Sequence, residues 1–363
     1  MGDSPTILRG TCLALFAYDV GRSIDLDQAE RMLLSPAATQ RETIRRTRRA
    51  PSYFEFKPSP LRVTLPAQAI EICGRRTAPN VDMVLYDFGA ISLAYSIPIE
   101  GPLDELLPLS GELYDNQALL GDARARVGSL IRDLGPALHF PHLAAFVEDY
   151  FIFQIAEHSA GDALQAWLTA NRPLLARVLR AEAASLSVQE VEDAVSAHIS
   201  YGDRDLAYID WNATILFDPD PQDACAALEF ANVELLEMRH LDDRLDAALD
   251  EIYRAIDRGE TRRSPAGTMR RLSTLQIDSA MLFEGVNNAL KLLGDQYLAR
   301  VYRLAAQRFH LPEHDATIMR KLATLDGIYQ KLSDRQAARR AEILEWIIIA
   351  LIAFEIVFSF WRR

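Results

Sequence analysis

The chain has 363 residues, 49% hydrophobic and 25% charged, a composition typical of globular proteins that excludes a largely disordered chain. The formal net charge is −12, and residues 81–260 alone carry −22, which disfavours nucleic-acid binding by that part. Cys12, Cys73 and Cys225 lie far apart, so their spacing predicts neither a disulfide framework nor a cysteine metal motif.

Residues 1–160 are predicted to form a mixed α+β head domain with a small, mostly antiparallel sheet. The apolar run TCLALFAY at residues 11–18 is typical of a buried strand, and Asp87-Phe88-Gly89 predicts the turn of a hairpin. Residues 161–220 are predicted to form a connecting part of the head that contains helices and a strand. In that stretch Ser187 and Glu190 have the spacing of a helix capping box.

A cluster of five arginines lies between Pro36 and Pro51, and it has two interpretations. It is either a solvated loop or a contact for phosphate, whether of a lipid headgroup or of RNA. The second interpretation makes a ribosome- or RNA-binding module one alternative function for the chain. The arginines are Arg41, Arg45, Arg46, Arg48 and Arg49.

Three long helices are predicted beyond residue 220, and together they form a neck at residues 221–342. They cover residues 221–258, residues 268–309 and the chain from Pro312 onward. The third helix carries apolar residues at alternating steps of four and three, which is the heptad spacing of a coiled coil. The seam consists of Ile318, Leu322, Leu325, Tyr329 and Leu332.

Residues 343–361 are predicted to form a single transmembrane helix. Their helical length of about 28 Å is close to the thickness of the hydrocarbon layer. An acid within the span costs about 3 kcal/mol, but a dozen large apolar residues each return roughly 0.3–0.6 kcal/mol. Glu355 is interpreted either as a contact between tails of a homo-oligomer or as a residue tolerated near the interface. The span residues are Ile343, Trp346, Ile347, Ile348, Leu351, Ile352, Glu355 and Trp361.

The closing segment resembles a known family signature. The run Leu-Glu-Trp-Ile-Ile-Ile at residues 344–349, followed by Leu351, Ile352 and Glu355, is similar to the end of the "required for meiotic nuclear division" family, which includes bacterial YagE-like proteins. The resemblance implies a membrane-anchored homo-oligomer linked to translation, and it implies no catalytic residues. Residues 258–330 depart from the family pattern as an insertion.

Enzymatic chemistry has little support in the sequence. Two histidine pairs, His139 with His142 and His310 with His314, have no partner cluster at suggestive spacing. The densest group of acids allows a metal-dependent hydrolase as a second alternative function, although helix capping explains part of it. These acids are Asp203, Asp205, Asp210, Asp218, Asp220 and Asp223. We therefore expect no catalytic residue, no metal and no cofactor.

Together these patterns predict a non-enzymatic, tail-anchored scaffold protein. Its expected location is the inner membrane, crossed once, with the bulk of the chain in the cytoplasm. Its expected partners are membrane lipid, further copies of itself, and a ribosome or another basic or RNA-containing partner.

Overall fold

The fold is given by a computed structural model that describes residues 4–33, 58–202, 205–257 and 296–361, together with the single positions 267, 270, 273, 274 and 277. The strands are β1 Thr6–Asp19, β2 Ser23–Ile24, β3 Leu61–Pro66, β4 Glu71–Ile72, β5 Arg75–Arg76, β6 Asn80–Leu85, β7 Ala90–Pro102, β8 Leu138–His139, β9 Glu148–His158, β10 His198–Ile199, β11 Leu206–Ile209 and β12 Ala213–Phe217. The α-helices are α1 Leu26–Leu33, α2 Leu106–Leu113, α3 Gln117–Asp133, α4 Leu164–Ala170, α5 Arg172–Leu179, α6 Val188–Ala194, α7 Gln222–Asp257, α8 Gln296–Arg308 and α9 Leu311–Trp361.

Eight strands form one mixed sheet in the order β10-β11-β12-β9-β1-β7-β6-β3. The pairing is antiparallel except between β9 and β12, which run parallel. A parallel pair needs a long crossover connection, which here contains α4, α5 and α6 followed by β10 and β11. The prediction of a small sheet is therefore wrong. The short strands β10, β11 and β12 extend the sheet because β12 pairs with the distant strand β9, which local periodicity does not reveal.

Both faces of the central strand β1 are covered, because successive side chains point to opposite sides. The even-numbered Phe16 and Tyr18 enter the main apolar core. Phe16 makes an edge-to-face contact with Tyr95, whose hydroxyl donates to Asp122 of α3 at 2.7 Å. Beyond the bulge between Ile7 and Gly10, the odd-numbered residues of β1 therefore face the opposite side, and Asp19 is the last of them.

The described residues cluster into two compact units. The first contains Met1–His240 and Met281–His314, and the second contains Leu241–Ala280 and Asp315–Arg363. In the second unit, Lys321 Nζ of α9 lies 2.6 Å from a carboxylate oxygen of both Asp242 and Asp246 of α7. Ile318 and Leu325 of the predicted seam are fully buried there. Leu322 is half-buried, and the side chains of Tyr329 and Leu332 lie outside the described part.

The prediction of a membrane span at residues 343–361 is wrong, and so are the tail anchor and the inner-membrane location inferred from it. Across the residues that the structure describes, no helix combines the length and the apolarity needed to cross a membrane. Only the nine residues 346–354 separate Glu345 from Glu355, which is about 14 Å of helix against a hydrocarbon layer of roughly 30 Å.

The residues assigned to that span belong instead to the end of the 51-residue helix α9. The side chains of residues 343–354 and 361 are exposed, whereas those of residues 355–360, Glu355 among them, lie outside the described part. The exposed residues named in the prediction are Ile343, Trp346, Ile347, Ile348, Leu351, Ile352 and Trp361.

The predicted hairpin turn is confirmed, and Gly89 is its most constrained residue. The φ of Gly89 is +104°, and a Cβ atom added there would lie 1.9 Å from the carbonyl oxygen of Gly21. The carbonyl of Gly89 also accepts a hydrogen bond from the backbone N–H of Val20 at 2.9 Å. The turn therefore fixes the path of the chain just after β1 ends.

Replacing Gly89 by alanine should destabilise the fold by roughly 2–4 kcal/mol, because the left-handed conformation and the contact with Gly21 both oppose a Cβ atom. Urea unfolding monitored by circular dichroism measures the change. The matched control is Gly128→Ala within α3, where an added Cβ meets nothing within 4 Å and a gain of about 1 kcal/mol is expected. Equal stability of the two variants would contradict the assignment of Gly89 as the constrained residue of the turn.

Candidate metal centre

The carboxylate of Asp19 lies at the end of the central strand and is buried, with 4% of the residue exposed. Burying an ionised carboxylate is costly unless cationic or hydrogen-bonding partners compensate it. The alternation along β1 turns Asp19 toward the face on which α7 packs. Its partners come from two distant parts of the chain, His142 and His240.

His142 reaches Asp19 because its loop is paired with the chain that follows β1. The backbone N–H of His142 donates to the carbonyl of Val20 at 2.9 Å, and that of Ala144 donates to the carbonyl of Asp19 at 3.0 Å. Nε2 of His142 then lies 2.5 Å from Oδ1 of Asp19. Its other ring nitrogen, Nδ1, lies 3.2 Å from the carbonyl oxygen of Phe140.

His240 approaches the same carboxylate from α7. Its Nε2 lies 3.8 Å from Oδ2 of Asp19, and its ring stacks on that of His142 with centroids 5.5 Å apart and planes inclined by 22°. The ring of Phe146 also lies against that of His240, with the centroids 5.9 Å apart. Stacking fixes the direction in which the second imidazole points.

The three residues present one potential ligand atom each, and these atoms all lie within 4.8 Å of one another. Donor atoms bound tetrahedrally at about 2.1 Å from one ion lie roughly 3.4 Å apart, so small side-chain movements suffice to enclose an ion. Two imidazole nitrogens and one carboxylate oxygen suit zinc, iron and similar divalent transition metals. The arrangement can therefore hold a metal with three protein ligands.

An ion pair between a buried glutamate and a half-exposed arginine lies beside these ligands. Glu148, the first residue of β9, is 6% exposed and pairs with Arg239, the residue before His240. Burial raises the pKa of the Glu148 carboxyl to about 7, although Arg239 acts in the opposite direction. The guanidinium of Arg239 also lies 5.8 Å from the ring centroid of Phe146. The pair thus fixes the part of α7 that supplies His240.

Of the four histidines considered from the sequence as possible metal ligands, only one belongs to the three-ligand grouping of the described residues. Among the described residues, the three-ligand grouping contains His142 but not His139, His310 or His314. Nδ1 of His310 lies instead 3.9 Å from a carboxylate oxygen of Glu313 in α9. Asp19 and His240 were not predicted, since 123 and 98 residues separate them from His142 and no local spacing connects them.

The acids proposed for a metal-dependent hydrolase have structural partners instead. Asp210 is fully buried and pairs with Arg180 at 2.8 Å and with Arg308 of α8. Asp205 accepts the backbone N–H of Gly202 at 2.6 Å, and Asp218 accepts that of Asp220 at 2.8 Å. Among the described residues of this segment, which leave out Asp203, these acids form no three-ligand grouping, and the hydrolase alternative stays a prediction.

The arginine cluster cannot be placed in the same way. Arg41, Arg45, Arg46, Arg48 and Arg49 all lie outside the described residues.

Comparison with known proteins identifies the family. The family described as "Uncharacterized protein MJ0711, N-terminal domain" matches residues 9–224, more than half of the chain, and the chain belongs to that family. The resemblance to the "required for meiotic nuclear division" family is therefore wrong, because it depended mainly on a short apolar signature outside the matched region. The function inferred from it, a membrane-anchored scaffold, is corrected with it.

A relative in Methanocaldococcus jannaschii, the uncharacterized protein MJ0711, is 23% identical over 220 residues. The match covers 59% of this chain and 66% of that protein. No solved structure matches the chain. Asp19 and His142 lie inside the family match, whereas His240 lies 16 residues beyond its end. The candidate centre thus combines two residues of the family domain with one from the following helix.

Replacing Glu148 by glutamine should change how stability depends on pH. Between pH 4.5, the usual pKa of a glutamate, and about pH 7, the folded state binds more protons at this carboxyl than the unfolded state does. The contribution of Glu148 to stability is therefore greatest at low pH and falls as the pH rises to about 7.

The free energy of unfolding of Glu148→Gln, relative to that of wild type, should rise by about 2 kcal/mol from pH 5 to pH 8. Urea unfolding at both pH values measures this change. The control Glu157→Gln removes an exposed carboxylate of the same strand and should show no such trend. A constant difference between Glu148→Gln and wild type at both pH values would contradict the raised pKa.

Proposed function

We propose that this protein binds one divalent transition-metal ion through Asp19, His142 and His240 and uses it as a reactive centre. The observation that carries the proposal is the convergence of the three donor atoms within 4.8 Å on a buried carboxylate. A bound cation would neutralise Asp19 more completely than two imidazoles do. Backbone pairing of the His142 loop and stacking of His240 support a site formed before the ion arrives.

Three protein ligands favour a reactive role over a purely structural one. Structural zinc sites are almost always closed by four protein ligands, whereas catalytic sites have three and keep one position for water or substrate. A water molecule in that position would have its pKa lowered to about 7 and would serve as a nucleophile near neutral pH. His142 is half-exposed, with 40% of its side chain accessible, which gives a route for solvent or a substrate.

The reaction class that fits these features is attack by metal-bound water on an electrophilic substrate. The expectation that the protein is not an enzyme stays a prediction, and the open coordination position argues against it. Association with further copies, with lipid or with a ribosome also stays a prediction.

Metal titration of the purified full-length protein tests the proposal. Wild type should bind Zn²⁺ or Co²⁺ at one ion per chain, and Co²⁺ should produce the absorption bands of a low-coordinate site. Each of the ligand substitutions Asp19→Asn, His142→Gln and His240→Gln should weaken metal binding by at least about 100-fold. Substitution of a residue that only contacts a ligand already costs up to about 100-fold, and loss of the ligand itself should cost no less.

The control is His139→Gln, which alters a neighbouring histidine outside the grouping and should bind as wild type does. Circular dichroism of each variant separates loss of ligand from loss of fold. Unchanged affinity in all three folded ligand variants, or no stoichiometric binding by wild type, would contradict the proposal.

A further inference from the structure

The residue two positions before His142 has an unusual backbone conformation. Phe140 has a φ of +52°, in the left-handed region that costs a non-glycine residue roughly 1–2 kcal/mol. Its ring is 74% exposed, so burial of the aromatic side chain does not compensate this cost. It also precedes Pro141, which restricts its backbone further. Strain of this kind persists only where the surrounding structure imposes it.

The surrounding backbone imposes this conformation from both sides. The carbonyl of His139 accepts the N–H of Arg22 at 2.9 Å, and the N–H of His142 donates to Val20 at 2.9 Å. A Cβ atom added to Gly21 would lie 3.0 Å from the carbonyl oxygen of His139 and 3.5 Å from that of Phe140. The loop therefore lies tightly on the chain after β1, with Phe140 at its bend.

The bend directs the carbonyl oxygen of Phe140 to Nδ1 of His142 at 3.2 Å. A carbonyl oxygen can only accept, so this hydrogen bond requires the proton on Nδ1. Nε2, at the other side of the ring, lies 2.5 Å from Oδ1 of Asp19. Without an ion, Nε2 must donate a proton to that carboxylate, and a bound ion takes the place of that proton. Histidines that bind metals generally donate their second ring N–H to a carbonyl or carboxylate, which fixes the tautomer and the ring orientation.

We propose that Phe140 is a positioning residue of the metal centre, acting through its backbone: its left-handed conformation holds its carbonyl on Nδ1 of His142 and so keeps Nε2 available to the ion. The inference rests on the proposed metal-binding function. The ring of Phe140 is not required for this role, whereas the φ of its backbone is.

Two substitutions separate the backbone from the ring. Phe140→Gly removes the ring but adopts the left-handed conformation at no steric cost, so Zn²⁺ affinity should stay within about threefold of wild type. Phe140→Val introduces a β-branched residue that disfavours this conformation, so the carbonyl should move and affinity should fall by about 10-fold. The matched control is Ala181→Val, at a position with the same φ of +52° outside the centre, and its affinity should not change.

The second measurement is ¹⁵N NMR of the imidazole of His142 in the metal-free protein. Wild type and Phe140→Gly should carry a proton on Nδ1 with a hydrogen-bonded shift, and Phe140→Val should lose that shift. An unprotonated Nδ1 in wild type, or wild-type affinity in folded Phe140→Val, would overturn the inference. If Phe140→Val does not fold, the state of Nδ1 in wild type and Phe140→Gly decides.

These readouts distinguish the two proposals. Failure of wild type to bind Zn²⁺ contradicts the metal-binding function, and the metal-free NMR spectrum then still decides whether Phe140 fixes the imidazole. Stoichiometric Zn²⁺ binding with an unprotonated Nδ1 leaves the metal centre in place and removes the role of Phe140.

Discussion

The buried carboxylate of Asp19 is the constraint on which the candidate centre depends. The apolar strand β1 carries it to the end of the sheet, where only 4% of the residue is exposed to solvent. A charge in that position requires compensation, and both described partners are histidines. Since imidazoles are also metal ligands, the two residues that approach Asp19 are the ones that can share a cation with it. The same two histidines therefore face the charge of Asp19 and complete the candidate metal site.

Three parts of the fold bring these groups together, and each does so for a simple physical reason. Alternation along β1 sends Tyr18 into the main core and Asp19 to the face of α7. Close approach of Gly89 to Gly21 fixes the chain after the strand, and the loop of His142 pairs with that same chain. The helix α7, which begins where the family match ends, supplies His240. His240 therefore lies about four turns of α7 beyond the end of the family match.

Local patterns in the sequence predicted local structure well. The strand at residues 11–18 lies within β1, the hairpin turn at Gly89 is present, and Ser187 caps α6 through the backbone N–H of Glu190 at 3.2 Å. Pairing between distant segments was not predictable in this way, which is why the pairing of β12 with β9 and the approach of Asp19 to His240 were missed. The prediction for the apolar tail shows the opposite error, because its hydropathy was given more weight than the interruption of the apolar run by Glu345 and Glu355.

The central claim is that one ion shares the carboxylate of Asp19 with the imidazoles of His142 and His240. X-ray absorption spectroscopy at the zinc edge of the loaded full-length protein tests it most directly. The account predicts two imidazole nitrogens and carboxylate or water oxygens at about 2.0–2.2 Å, with the multiple-scattering pattern of histidine reduced by half in His240→Gln. A shell of oxygens alone, or a spectrum unchanged by that substitution, would contradict it.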